Sequence, residues 1–205
     1  MIAPPSVHHL TASEGRLSGR SHRYEKRLSE LAGLYADDAA FGAALAHGDR
    51  VVYAVEDYRP SATAGDLCFG VTHMQPGRIG AEFFMTRGHI HAVANRPETY
   101  RGEAGRGVML MESPDGEVVT LEVTPGATVY VPPYWIHRSV NTGPEPFVMT
   151  FVYPADSGQD YGIIARSNGM KVRIVADGAG WKAVPNPGWR PRSGDEIAAI
   201  HATAA

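Results

Sequence analysis

Apolar and polar side chains alternate from Asp49 onward. Val51, Tyr53 and Val55 are interleaved with Val52, Ala54 and Glu56, a period of two that predicts a strand. Further short runs follow: Leu67–Met74, Phe83–Phe84, Tyr100, Gly107–Glu112, Val118–Val123, Thr128–Val131, Phe147–Tyr153 and Lys171–Val175. Turn chemistry separates nearly all of them: Pro76-Gly77, Ser113-Pro114-Asp115-Gly116, Thr124-Pro125-Gly126 and Asn141-Thr142-Gly143-Pro144. Strands this short and evenly spaced predict a sandwich or barrel rather than a βαβ fold. Asp115-Gly116 marks the clearest hairpin. Before Asp49 the period differs. Residues 1–20 are polar, with Pro4 and Pro5, and predict an irregular arm. Tyr24, Leu28, Leu31 and Leu34 recur at helical spacing, with charged residues between them and a stop at Gly33. Phe41, Ala44 and Leu45 predict a second short helix ending at Gly48. Residues 190–205 lose the pattern and predict a loose tail. The expected organisation is one domain over 1–205, with arm and helices in 1–48, the barrel in 49–189 and the tail in 190–205.

Composition narrows the class. The chain has 205 residues, 43% apolar and 20% charged, with 23 Gly and 15 Pro. That is ordinary globular usage with more turn formers than a helical protein carries. Cys68 is the only cysteine, which excludes an internal disulfide and a cysteine-based zinc site, suits a reducing compartment, and reads as core. A net charge of −3 gives no electrostatic footprint for nucleic acid. No apolar run is long enough to span a membrane, and the first residues lack the features of a secretory signal, so the cytoplasm is the expected compartment.

The chemical signal begins at His89-Ile90-His91. Residues i and i+2 of a strand share a face, so both imidazoles can meet one ion, although a hydrogen-bonded pair is the plain alternative. Glu98 follows after six residues, and His137 stands five residues beyond Pro132. Three imidazoles and a carboxylate suit Fe(II), Mn(II), Ni(II), Zn(II) or Cu(II) better than Mg or Ca. The two-part pattern resembles the paired motifs of the cupin superfamily, which implies an all-β double-stranded β-helix, a small jelly-roll barrel, here with the short N-terminal helices packed outside. The glycine usual two residues after the second motif's proline is Tyr134.

A longer match is more specific. Thr86-Arg87-Gly88-His89-Ile90-His91, Glu98-Thr99-Tyr100, Pro132-Pro133-Tyr134-Trp135-Ile136-His137, Tyr153-Pro154-Ala155-Asp156 and Asp160-Tyr161-Gly162 resemble the cupin-type phosphoglucose isomerases, from about Arg27 to Trp189. The resemblance implies interconversion of glucose 6-phosphate and fructose 6-phosphate in glycolysis and gluconeogenesis. It also implies one divalent metal per subunit, Fe(II) first with Mn, Ni or Zn as alternatives, and a homodimer. It makes His89, His91, Glu98 and His137 the metal ligands. It places Thr72, Thr86, Gly88, Tyr153 and Tyr161 near the sugar phosphate, and Tyr53 and Tyr100 in the sugar pocket. Gln159 stands where the family often has histidine, and Arg87 where lysine is common. Moving hydrogen between C2 and C1 through a cis-enediolate needs a base, and Glu98 is the acid within the motif able to serve; a hydride shift is the other route. Plainer readings remain for several residues. Thr72 and Thr86 suit ordinary strand positions, and Tyr100, Tyr130 and Tyr134 suit the core. Glu82 suits a position behind a ligand histidine or a solvated edge. A Fe(II) dioxygenase and a non-catalytic sugar-binding module are the competing functions.

Overall fold

The computed structural model describes residues 4–203. The arm carries a small hairpin, Leu10–Thr11 (β1) against Arg16–Leu17 (β2). The helix expected from Tyr24 to Leu34 is instead a strand, His22–Arg27 (β3), followed by a single 3-10 turn over Leu28–Leu31. The reason is tertiary. Val51–Tyr58 (β4) is buried along its length, and β3 pairs with it from His22↔Asp57 to Arg27↔Val51, satisfying backbone groups that would otherwise form a bare edge. Leu28 and Leu31, three apart, are both fully buried by the turn. The second expected helix is present: Asp38–Ala46 (α1) is capped by Asp37, which accepts from Ala40 N at 2.8 Å.

Fourteen further elements follow Asp49 if β4 is included. They run through Leu67–Met74 (β5), Arg78–Ile79 (β6), Glu82–Phe83 (β7), Glu98–Ala104 (β8), Gly107–Glu112 (β9), Val118–Val123 (β10), Thr128–Val131 (β11), Ile136–Val140 (β12) and Phe147–Pro154 (β13). A short helix, Gly162–Arg166 (α2), precedes Val172–Asp177 (β14), Gly180–Pro185 (β15) and Gly194–Ala202 (α3). One antiparallel sheet has the order β11-β8-β13-β5-β4-β3, so the sheet begins well before residue 49. The other wall combines β10-β9-β12 with β15-β14-β7-β6. These two pieces are joined by Met85↔Val140 and His89↔His137. The walls share one apolar core that includes Phe84, Met109, Ile136, Phe147 and Met149. The fold is the all-β cupin sandwich, with the sheets left open rather than closed into a complete barrel. Cys68 lies in that core, on β5 opposite Tyr153.

The tail is not loose. Ser193 and Glu196 form a capping box that starts α3. Ahead of it, the fully buried Glu112 accepts from Arg192 Nη1 at 2.8 Å, Trp189 Nε1 at 3.2 Å and Lys171 N at 2.6 Å. Ala94 N donates to Thr203 Oγ1 at 3.1 Å, which ties the end of α3 to the loop before β8. Tyr134, in the place of the usual glycine, adopts φ +73 and packs its ring at a tilt against His201 of α3, 4.6 Å between centroids.

Candidate active site

An open cleft of about 550 Å³ lies between the walls. Its floor is built where two backbones cross. His89 N donates to His137 O at 3.1 Å and His137 N to His89 O at 2.9 Å, so the two imidazoles start from one rung. His91 follows on the same face, and Glu98 opens β8 beneath them. Donor atoms of His89, Glu98 and His137 lie within 4.8 Å of one another. Glu98 Oε2 is 3.0 Å from His137 Nε2, 3.3 Å from His91 Nε2 and 4.0 Å from His89 Nε2.

The far sides of two rings fix their tautomers. His91 Nδ1 donates to Arg96 O at 2.7 Å, and His137 Nδ1 to Trp135 O at 3.1 Å. With Nδ1 donating outward, each ring turns its Nε2 toward the Glu98 carboxylate. Ring nitrogens this close to a carboxylate oxygen share either a proton or a cation with it. The Nε2 atoms of His89 and His91 are also buried without a hydrogen-bond partner. Burial raises the Glu98 carboxyl, but His137 and His91 outweigh it and hold the group well below the usual carboxylate range. Burial and the His137 charge hold His89 well below an ordinary imidazole. A neutral His89 and an ionised Glu98 are the forms a divalent transition-metal ion requires, and three imidazoles with one carboxylate are a donor set that fits one.

All eight residues expected around the substrate line the cleft: Tyr53, Thr72, Thr86, Gly88, Tyr100, Tyr153, Gln159 and Tyr161. Thr86 also has a structural task, since its Oγ1 accepts from Ser139 N at 3.0 Å. Gly88 has φ +73, and a Cβ there would meet Ile164 Cδ1 at 2.7 Å. Gln159 Oε1 accepts from the Tyr161 hydroxyl at 2.8 Å. Burial raises the Tyr100 phenol, with Glu98 adding to it, and burial pushes Tyr53 up to about 12. Both stay protonated donors near neutrality.

Other readings are corrected. Tyr130 is exposed rather than core, because its strand turns it to the outer face of the sheet. Glu82 neither supports a ligand histidine nor meets solvent; it is buried, accepting from Ala36 N at 2.6 Å and Arg173 Nη1 at 2.9 Å. His73 is buried under the arm. The sequence reading missed Tyr24, Asp57, Arg59 and Arg138, which also line the cleft. The alternation of β4 carried the signal for two of these: Tyr53, Val55, Asp57 and Arg59 are successive positions on one face. Arg138 is wholly enclosed, donating to Met85 Sδ at 2.7 Å and Arg87 O at 2.8 Å, and burial lowers it to about 10.

The chain is similar to known proteins along most of its length. A family model described as glucose-6-phosphate isomerase matches residues 25–190. The chain is 52% identical over 199 residues to the glucose-6-phosphate isomerase of Sinorhizobium medicae, covering 96% of this chain and 93% of that one. It is 46% identical over 165 residues to the enzyme of that name from Thermococcus kodakarensis, covering 80% and 86%. For the Pyrococcus horikoshii protein of the same name the figures are 44% over 165 residues, 80% and 87%.

Proposed function

Because the chain belongs to the cupin-type glucose-6-phosphate isomerase family, we propose that its cleft interconverts glucose 6-phosphate and fructose 6-phosphate with a divalent metal held by His89, His91, Glu98 and His137. The observation that carries the metal is the gathering of donor atoms from His89, Glu98 and His137 within 4.8 Å of one another, with His91 Nε2 3.3 Å from the same Glu98 oxygen. Fe(II) is our first choice, with Mn(II), Ni(II) and Zn(II) as alternatives. When bound, the ion supplies Lewis acidity to the oxygens on the two carbons that exchange hydrogen.

The protein's own groups do the rest. Glu98, ionised and enclosed at the floor, takes the proton from C2 of the open-chain sugar and returns it to C1, through a cis-enediolate. Tyr53 and Tyr100 keep their phenolic protons and donate to sugar oxygens. Thr72, Thr86, the Gly88 backbone, Tyr153, Gln159 and Tyr161 receive the phosphate end; Gly88 lets the backbone approach an anion closely. The reaction belongs to glycolysis and gluconeogenesis in the cytoplasm. Leu67, Tyr130 and Val152 stand exposed on one outer sheet face, which supports a homodimer built there.

A coupled assay on fructose 6-phosphate before and after chelation tests the reading. Activity should vanish with the metal and return with Fe(II), Mn(II) or Ni(II). Full activity in protein shown to be metal-free would remove the metal from the account, and no turnover in metal-loaded protein would remove the isomerase.

A further inference from the structure

The row of cleft side chains that starts on β4 and runs one residue past its end finishes at the rim in two charged groups. Asp57 is 1% exposed, and Arg59, the next position on that face, is 46% exposed. Arg59 donates Nε at 2.8 Å and Nη2 at 2.6 Å to the same oxygen, Asp57 Oδ2. One edge of the guanidinium is thereby locked. The Nη1 edge has no hydrogen bond to protein among the described residues. A buried anion thus holds a half-exposed cation in a fixed attitude, so little side-chain freedom remains to be lost when a ligand meets the free edge.

Three neighbours define where that edge works. Arg59, Tyr153 and Gln159 line both the cleft and the groove adjoining it, so they share one stretch of rim. Arg59 is close enough to lower the phenols of Tyr153 and Tyr161 against the upward push of their burial. The other guanidinium in the cleft wall, Arg138, is enclosed and bonded to Met85 and Arg87. Arg87 lies over the Tyr161 ring, 5.1 Å from its centroid, and also lowers the phenols of Tyr161 and Tyr53, but it is not part of the cleft lining. Gln159 brings hydrogen bonds without charge. A phosphate monoester carries close to two negative charges at neutral pH. The metal proposed on Glu98 lies at the floor, so at the rim the free edge of Arg59 is the cationic group that the lining offers to such an anion.

We propose that Arg59, locked by Asp57, is the cation that selects a phosphate monoester over the free sugar in this cleft. The inference rests on the isomerase reading for the identity of the sugar, and extends it to the group that sets phosphate preference.

The test uses metal-loaded enzyme, with fructose 6-phosphate and fructose as substrates and inorganic phosphate as competitor. Arg59→Gln should lower the preference for fructose 6-phosphate over fructose, as the ratio of kcat/KM values, at least tenfold, with the loss falling on KM rather than kcat. It should raise the inorganic phosphate needed for half-inhibition by a similar factor. Arg59→Met, which keeps the aliphatic stem and drops the charge, should do the same, so the test survives failure of either variant to fold. A preference and a phosphate inhibition both within twofold of wild type would overturn the proposal while leaving the isomerase intact. Wild-type protein that turns over no fructose 6-phosphate would overturn the isomerase reading instead. Calorimetric binding of inorganic phosphate then decides on Arg59 alone: a tenfold weakening in Arg59→Gln supports it, and equal binding overturns it.

Discussion

Glu98 has two tasks that a single atom can separate. Glu98→Gln keeps the size and one carbonyl oxygen of the side chain but cannot accept a proton. In metal-loaded protein the loss of a positioned base should cost about 10²–10⁴-fold in kcat. Wild-type enzyme turning over fructose 6-phosphate in D₂O should place deuterium at C2 of the glucose 6-phosphate formed, because the proton taken from C1 exchanges with solvent before hydrogen is returned to C2. A metal-loaded variant with near-normal kcat, together with unlabelled product, would assign the hydrogen transfer to a hydride shift. The four candidate ligands were legible in the chain because a strand repeats every two residues and each half of the pattern sits beside its own turn. Asp57 and Arg59 were equally legible in principle, on the face already marked by Tyr53, but a charged pair at a strand end reads as a solvated edge. Arg138 was not legible, since only the tertiary structure encloses it.

At the scale of elements, close approach makes the site brittle in one place. The stretch Thr86–His89 runs against β12 with α2 packed behind it, and Gly88 is where the three meet. A Cβ there would lie 2.9 Å from Arg138 Cβ and 3.0 Å from His137 O, on a backbone at φ +73. Gly88→Ala should therefore cost roughly 2–5 kcal/mol, the sum of left-handed strain and overpacking, read as a lowered Tm. The arm should respond to pH. Gly15 presses on His73, and Arg23 Nη1 donates to Gly15 O at 3.1 Å. Burial and the Arg23 charge hold His73 below its ordinary 6.5. The open arm then binds the extra proton, so closure is complete above about pH 6.5 and weakens as pH falls below it. Glu56 also holds the arm, through Ser21 Oγ at 2.6 Å and Arg16 Nε at 2.7 Å. Burial raises its carboxyl, yet these partners keep it below 4.5, so its contribution is lost only under more acid conditions. Limited proteolysis within residues 10–20 should accelerate between pH 7 and 5.5, and His73→Asn should abolish that step. Element type was legible where periodicity was long, as in β4, β5 and β13. It misled at Tyr24–Leu34, where a spacing of three and four fits a helix, while the open edge of β4 demanded a strand. The helix at Gly194–Ala202 carries a local start signal in Ser193-x-x-Glu196, which a reading by apolar periodicity passes over.

For the whole molecule, short strands separated by Gly and Pro turns were enough to predict two walls around one core; how far the walls close was not, because closure depends on isolated rungs such as Met85↔Val140 that no local pattern encodes. The sandwich also contains its own clock. Cys68, the sole thiol of the chain, stands in the wall opposite Tyr153, one strand from Arg59's carboxylate partner, and burial raises its pKa. Cys68 lies at the bottom of the groove beside the cleft and is 2% exposed, so a thiol reagent reaches it faster as that wall opens. The rate of labelling in native buffer is therefore a stopwatch for wall opening, with no engineered probe, and substrate occupying the cleft should slow it. Labelling as fast as that of the unfolded chain would mean that the wall is not held shut.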